Sequence, residues 1–126
     1  MIMKHILIID DEDDIRDVAQ VAIETIGGWQ VSTASNGPEG LAQMQTNLPD
    51  AVLLDVMMPD MDGIEVFKRM QADAKTQVIP VILMTAKTQT ADQQRFLSLG
   101  VTAIITKPFK AMLLANQIAE ILDWPL

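Results

Sequence analysis

Four short apolar runs, each closed by a polar residue, constrain this chain more than any other feature. They are Ile6-Leu7-Ile8-Ile9, Ala51-Val52-Leu53-Leu54, Val81-Ile82-Leu83-Met84 and Ala103-Ile104-Ile105. Short unbroken apolar runs, most of them rich in β-branched residues, are the pattern of strands covered on both faces. A fifth run, Gln30 to Ala34, is more polar and predicts an edge strand. The intervening segments carry helical spacing. Ile15, Val18, Ala19, Ala22 and Ile26 lie on one predicted face, stopped by Gly27 and Gly28. A short helix is expected from Pro38 to about Gln45 and another from Ile64 to about Ala72. Thr90-Ala91-Asp92-Gln93 has the form of a capping box opening a helix that runs to Gly100. Leu114, Ile118, Ile121 and Leu122 make the stripe of a last helix. Five strands alternating with five helices imply a parallel sheet with helices on both faces, a doubly wound α/β sandwich.

Bulk properties narrow the function classes. At 126 residues and 49% hydrophobic content there is room for one compact domain, residues 1–126, with a real core. The formal charge of -8 argues against nucleic acid and anionic membranes as direct partners, because both are bound through Lys and Arg. No apolar run approaches the roughly 20 residues that span a bilayer. The absence of cysteine fits a reducing cytoplasm and removes thiolate metal sites.

The residues that end the strands carry the chemistry. The first strand runs into Asp10-Asp11, the third into Asp55, the fourth into Thr85 and the fifth into Thr106-Lys107. Ligands of an open parallel sheet bind outside the carboxyl ends of its strands. Carboxylates, a hydroxyl and an ammonium are therefore expected at one mouth. Three carboxylates there repel one another, and an oxygen-only donor set suits a hard divalent cation, Mg²⁺ or Mn²⁺. Asp55 is placed as a nucleophile for a phosphoryl group, forming an aspartyl phosphate. Charge on the transferring oxygens would be met by the cation, by Lys107 and by the Thr85 hydroxyl.

With those residues in place, the sequence resembles the receiver domain of two-component response regulators, including stand-alone chemotaxis-type regulators. The resemblance rests on Ile8-Ile9-Asp10-Asp11-Glu12-Asp13, on Leu53 through Gly63, on Met84-Thr85-Ala86 and on Lys107-Pro108-Phe109. It covers nearly the whole chain. It implies a flavodoxin-like sheet of order 2-1-3-4-5 and a phosphoryl group taken by Asp55 from a sensor histidine kinase, a histidine phosphotransfer protein or a small phosphodonor. It further implies that Asp11 and Asp55 ligate Mg²⁺ by side chain, Met57 by its backbone carbonyl and Asp10 through water. Lys107 and Thr85 would contact the phosphoryl group, the Lys107-Pro108 bond would be cis, and Ala86 would leave space for the donor. Such a domain catalyses only its own phosphorylation and dephosphorylation. It signals to a downstream protein through its last two helices and last strand, and it can be an excised piece of a longer regulator. One position departs from the pattern: Ile104 stands where the family often has the Tyr or Phe that swings inward on activation.

Rival readings are weaker. An aspartate-nucleophile phosphatase usually needs a second acid two residues after the nucleophile, and that position is Met57. A docking module that lost its chemistry would not keep all five site positions. A flavin carrier would be repelled by Asp10 to Asp14. Glu12, Asp13, Asp14 and Asp17 read as a solvated helix start, and Met57, Met58 and Met61 as loop packing. Asp60, Asp62 and Gly63 read as turn residues. His5, the only histidine, is expected at the far end of the sheet.

Overall fold

A computed structural model describes residues 3–126. Strands and helices alternate from end to end: β1 His5–Ile9, α1 Asp13–Ala22, β2 Gln30–Ala34, α2 Gly37–Thr46, β3 Ala51–Asp55, α3 Gly63–Gln71, β4 Val81–Thr85, α4 Thr90–Ser98, β5 Ala103–Thr106 and α5 Ala111–Leu122. All neighbouring strands are parallel, in the order β2-β1-β3-β4-β5. Both the doubly wound architecture and the strand order agree with expectation, and the polar β2 does lie at an edge.

The sheet is buried on both faces because successive residues of a strand point to opposite sides. Leu7, Ile9, Val52, Leu54 and Leu83 pack on one side, with Met44 of α2, Phe67 and Met70 of α3 and Phe96 of α4. Ile6, Ile8, Leu53 and Ile82 pack on the other, with Ala19 of α1 and Leu114 and Ile118 of α5. This two-sided burial is why the strands read as unbroken apolar runs rather than alternating ones. Each fully buried Leu or Ile contributes about 1.5–3 kcal/mol of apolar transfer.

Two local expectations are corrected. The helix before β2 does not present Val18 and Ile26 to the core: they are 48% and 40% exposed, while Ile23, outside the expected stripe, is fully buried. From Ile23 to Gly27 the helix widens into π-type turns before Gly28 takes a left-handed conformation. The extra residue per turn rotates Ile26 off the face that a 3.6-residue period assigns it. The capping box at Thr90 does not form either. Gln89 is the N-cap, with no side-chain cap bond, and Thr90 is already helical. The Gln93 side chain instead donates to the Lys87 carbonyl at 3.3 Å. Gly100, with φ of 107°, follows α4 as expected.

Candidate functional site: an acidic mouth around Lys107

The carboxyl ends of β1, β3, β4 and β5 converge. Register places Ile9 beside Leu54, Asp55 beside Met84 and Thr85 beside Thr106, so the residues that leave these strands emerge at one level. Asp10, Asp11 and Asp55 each bring a carboxylate oxygen to within 4.8 Å of the others. Asp10 and Asp55 are buried and Asp11 is exposed, giving the cluster a dry floor and an open side.

Lys107 closes the group from β5. Its Nζ donates to Asp10 Oδ2 at 2.9 Å, to Asp55 Oδ1 at 3.1 Å and to Glu12 Oε1 at 3.5 Å, so all three ammonium protons have acceptors. The Lys107 backbone N–H bonds the Thr85 carbonyl at 2.8 Å, and the Lys107-Pro108 peptide is cis. Thr85 is buried at the end of β4. Its Oγ1 accepts from the Lys87 N–H at 3.0 Å, which leaves the hydroxyl proton free to donate. Met57 and Ala86 are exposed in the loops after β3 and β4, and Ile104 is partly buried against the core.

The loop after β3 is held close to its own strand. The Gly63 N–H bonds the Val56 carbonyl at 2.9 Å, and a Cβ at position 63 would meet the Asp55 carbonyl oxygen at 2.3 Å. Only glycine fits that approach. Asp62 caps α3 by accepting from the Glu65 N–H at 2.9 Å, and Asp60 takes a left-handed φ of 68°. The turn roles expected of these three residues hold. Met58 is buried and Met61 packs on the same core, while Met57 alone of the three faces solvent. His5 lies at the opposite, amino-terminal end of β1, its Nε2 2.7 Å from Ser32 Oγ.

Electrostatics at the mouth are unbalanced. Burial, and then the charge of Asp10, push the Asp55 carboxyl up to about 6, against the lowering effect of the Lys107 bond. Burial alone would depress the Lys107 ammonium, but its bonds to Asp10 and Asp55 hold it above its ordinary value. One ammonium does not neutralise three clustered acids. An oxygen-only set with one open side and surplus negative charge fits a hard divalent cation that keeps several of its waters.

Residues 6–119 match the response regulator receiver domain family. The chain belongs to that family. This receiver is 38% identical over 125 residues to the alkaline phosphatase synthesis transcriptional regulatory protein PhoP of Bacillus subtilis, covering 92% of the chain and 51% of the relative. It is 37% identical over 122 residues to the phosphate regulon transcriptional regulatory protein PhoB of Pseudomonas aeruginosa, covering 97% and 53%. The receiver thus spans about half the length of the curated relatives it matches. Among solved structures, the chemotaxis protein CheY4 of Vibrio cholerae superposes with a TM-score of 0.87 at 28% identity, covering 95% of this chain and 99% of that one. A CheY-like response regulator receiver domain protein from Methanospirillum hungatei gives 0.84 at 30%, covering 97% and 95%. This is a two-component signalling fold. Family membership and fold agree with the sequence reading.

Two residues at the receiver's mouth were not singled out as functional from the sequence. Glu12, read as a solvated helix start, is the third acceptor of Lys107. Arg16 belongs to no motif in the sequence, yet its guanidinium bonds the Asp10 carbonyl at 2.8 Å. An arginine one turn into an acidic helix start carries no motif, so only tertiary contact reveals it.

Proposed function

We propose that Asp55 is the phosphoacceptor of a Mg²⁺-dependent, self-phosphorylating switch. The observation that carries this is the clustering of Asp10, Asp11 and Asp55 oxygens within 4.8 Å, with Lys107 bonded to two of these residues. Asp11 and Asp55, the Met57 carbonyl and, through water, Asp10 would hold Mg²⁺ or Mn²⁺. When bound, the cation supplies charge neutralisation of the phosphoryl oxygens.

Asp55 does the covalent work. Its carboxylate oxygen attacks phosphorus as the bond to the leaving group breaks. That group is the imidazole nitrogen of a phosphohistidine or the acetate of acetyl phosphate, and an acyl phosphate remains. Lys107 exchanges its Asp55 bond for a phosphoryl oxygen, and the free Thr85 hydroxyl proton donates to another. The exposed Ala86 leaves that approach open. Water attack on the acyl phosphate returns the carboxylate, so the domain turns over only its own modification.

The donor would be a sensor histidine kinase or a histidine phosphotransfer protein, and the reader a downstream protein, all cytoplasmic. Phosphorylation biases a pre-existing equilibrium, and moving it from 1:99 to 99:1 takes about 5.5 kcal/mol of differential interaction. With Ile104 in place of an aromatic ring, the face of α4, β5 and α5 would report the state without a ring flip. Incubation with acetyl phosphate and Mg²⁺, followed by intact mass measurement, tests the assignment. A gain of one phosphoryl group that Asp55→Asn abolishes is the expected result. An undiminished adduct on that variant would refute it.

A further inference from the structure

Arg16 is the only basic side chain of α1, and it is turned back toward β1 rather than out to solvent. Its side chain is 15% exposed. Nη1 donates to the Asp10 carbonyl at 2.8 Å, and Nη2 bonds the Asp13 carboxylate. Asp10 lies one residue beyond the end of β1. Its other polar atoms are also engaged: the N–H donates to the Ala34 carbonyl at 3.1 Å, Oδ1 accepts from the Glu12 N–H at 2.9 Å and Oδ2 accepts from Lys107. Asp11 differs. It is exposed, and its carboxylate faces that of Asp55, an acid like itself that gives it no cationic anchor. Its aim at the cluster is therefore set by its backbone. The peptide unit that precedes Asp11 is planar, and its carbonyl is the one Arg16 holds.

We propose that Arg16 is a positioning residue for the cation site: its two-pronged bond between the Asp10 carbonyl and Asp13 fixes the peptide plane from which Asp11 reaches the ion. This rests on the Mg²⁺ site proposed above. The charge of Arg16 acts in the opposite direction, since a guanidinium beside the site repels Mg²⁺. Removing Arg16 would tighten binding if charge alone mattered and weaken it if orientation does. The sign of the effect separates the two.

Calorimetric titration of MgCl₂ into the full chain, with thermal midpoints in EDTA as a check on folding, decides the matter. Arg16→Met is expected to weaken Mg²⁺ roughly ten- to a hundredfold, the usual loss when a partner that orients a metal ligand is removed. The Mg²⁺ concentration for half-maximal phosphorylation by acetyl phosphate should rise by the same factor, with the rate at saturating Mg²⁺ unchanged. Arg16→Lys, which keeps the charge and one prong, should fall between the two. Should Arg16→Met fail to fold, Arg16→Lys decides alone, and affinity equal to wild type overturns the proposal. Unchanged or tighter binding by Arg16→Met overturns it as well, while leaving the metal site standing. No Mg²⁺ binding by the wild type would remove both.

Discussion

Lys107 Nζ lies 3.1 Å from Asp55 Oδ1, joining residues 52 apart in sequence into one ion pair at the centre of the mouth. The pair is almost closed to solvent, the side chains being 12% and 4% exposed. Its energetics govern how the domain responds to pH, metal and mutation.

Asp55→Asn should stabilise the metal-free protein at pH 7–8. The folded carboxyl titrates near 6, above its ordinary value of 3.8. The folded state therefore binds the proton more tightly than the unfolded one. That favourable term is complete below about pH 4 and is lost as pH rises through about 6. At neutral pH the ionised group costs on the order of 2 kcal/mol, which Asn removes. Urea melts across pH should show the variant's advantage at pH 8 and none at pH 4; an advantage independent of pH would contradict the account.

Lys107→Ala should raise the Asp55 midpoint beyond its present value, because the Lys107 bond and charge both lower it. Mg²⁺ binding should survive, since Lys107 supplies no oxygen donor. Carboxyl-carbon NMR titration reads the first effect and calorimetry the second. A midpoint at or below that of the wild type would count against the ion pair.

Mg²⁺ should raise the thermal midpoint reversibly. A ligand bound only by the folded state stabilises by about 2.7 kcal/mol at 100 times its dissociation constant. The gain should shrink as pH falls from 8 to 5, because protons compete with the cation for Asp55. A pH-independent gain would place the metal elsewhere.

Gly63→Ala should cost about 1–3 kcal/mol, the usual penalty for forcing an extra carbon into a packed site. The new Cβ would meet the Asp55 carbonyl at 2.3 Å. Relief requires the loop after β3 to move, so phosphorylation should slow along with the loss of stability. Chemical denaturation and phosphorylation time courses would check both.

Trp124→Ala should lower stability by about 1–3 kcal/mol without touching the mouth. Its ring meets Trp29 edge-on at 5.1 Å, and Lys4 Nζ lies 5.2 Å from the Trp124 ring centre. Edge-to-face pairs add about 0.5–1.5 kcal/mol beyond area burial. A loss of Mg²⁺ affinity in this variant would show an unforeseen link between the two ends of the sheet.

Much of the site was legible because Asp10, Asp11, Asp55, Thr85 and Lys107 each follow an apolar run, and parallel strands must deliver their ends to one edge. The corrected details all depend on packing. Thr90 has the composition of a cap, but the backbone enters α4 one residue earlier, and no local signal marks that choice. Ile26 satisfies a helical period that the π turns from Ile23 then break, while Val18, in the regular part of α1, is turned outward because Ala19, Ala22 and Ile23 face the sheet.

The order of amino acids alone settled which segments are strands, that the sheet is parallel, and which polar residues close its strands. These follow from hydrophobic period and from the geometry of β-α-β crossovers, both local in origin. The chain's folding in three dimensions decided the rest: that Lys107 spends its protons on Asp10, Asp55 and Glu12, that burial lifts Asp55 toward 6, and that Arg16 grips the Asp10 carbonyl. Such properties depend on distances between residues remote in sequence and on how much water is excluded from them, and neither is written in any local pattern.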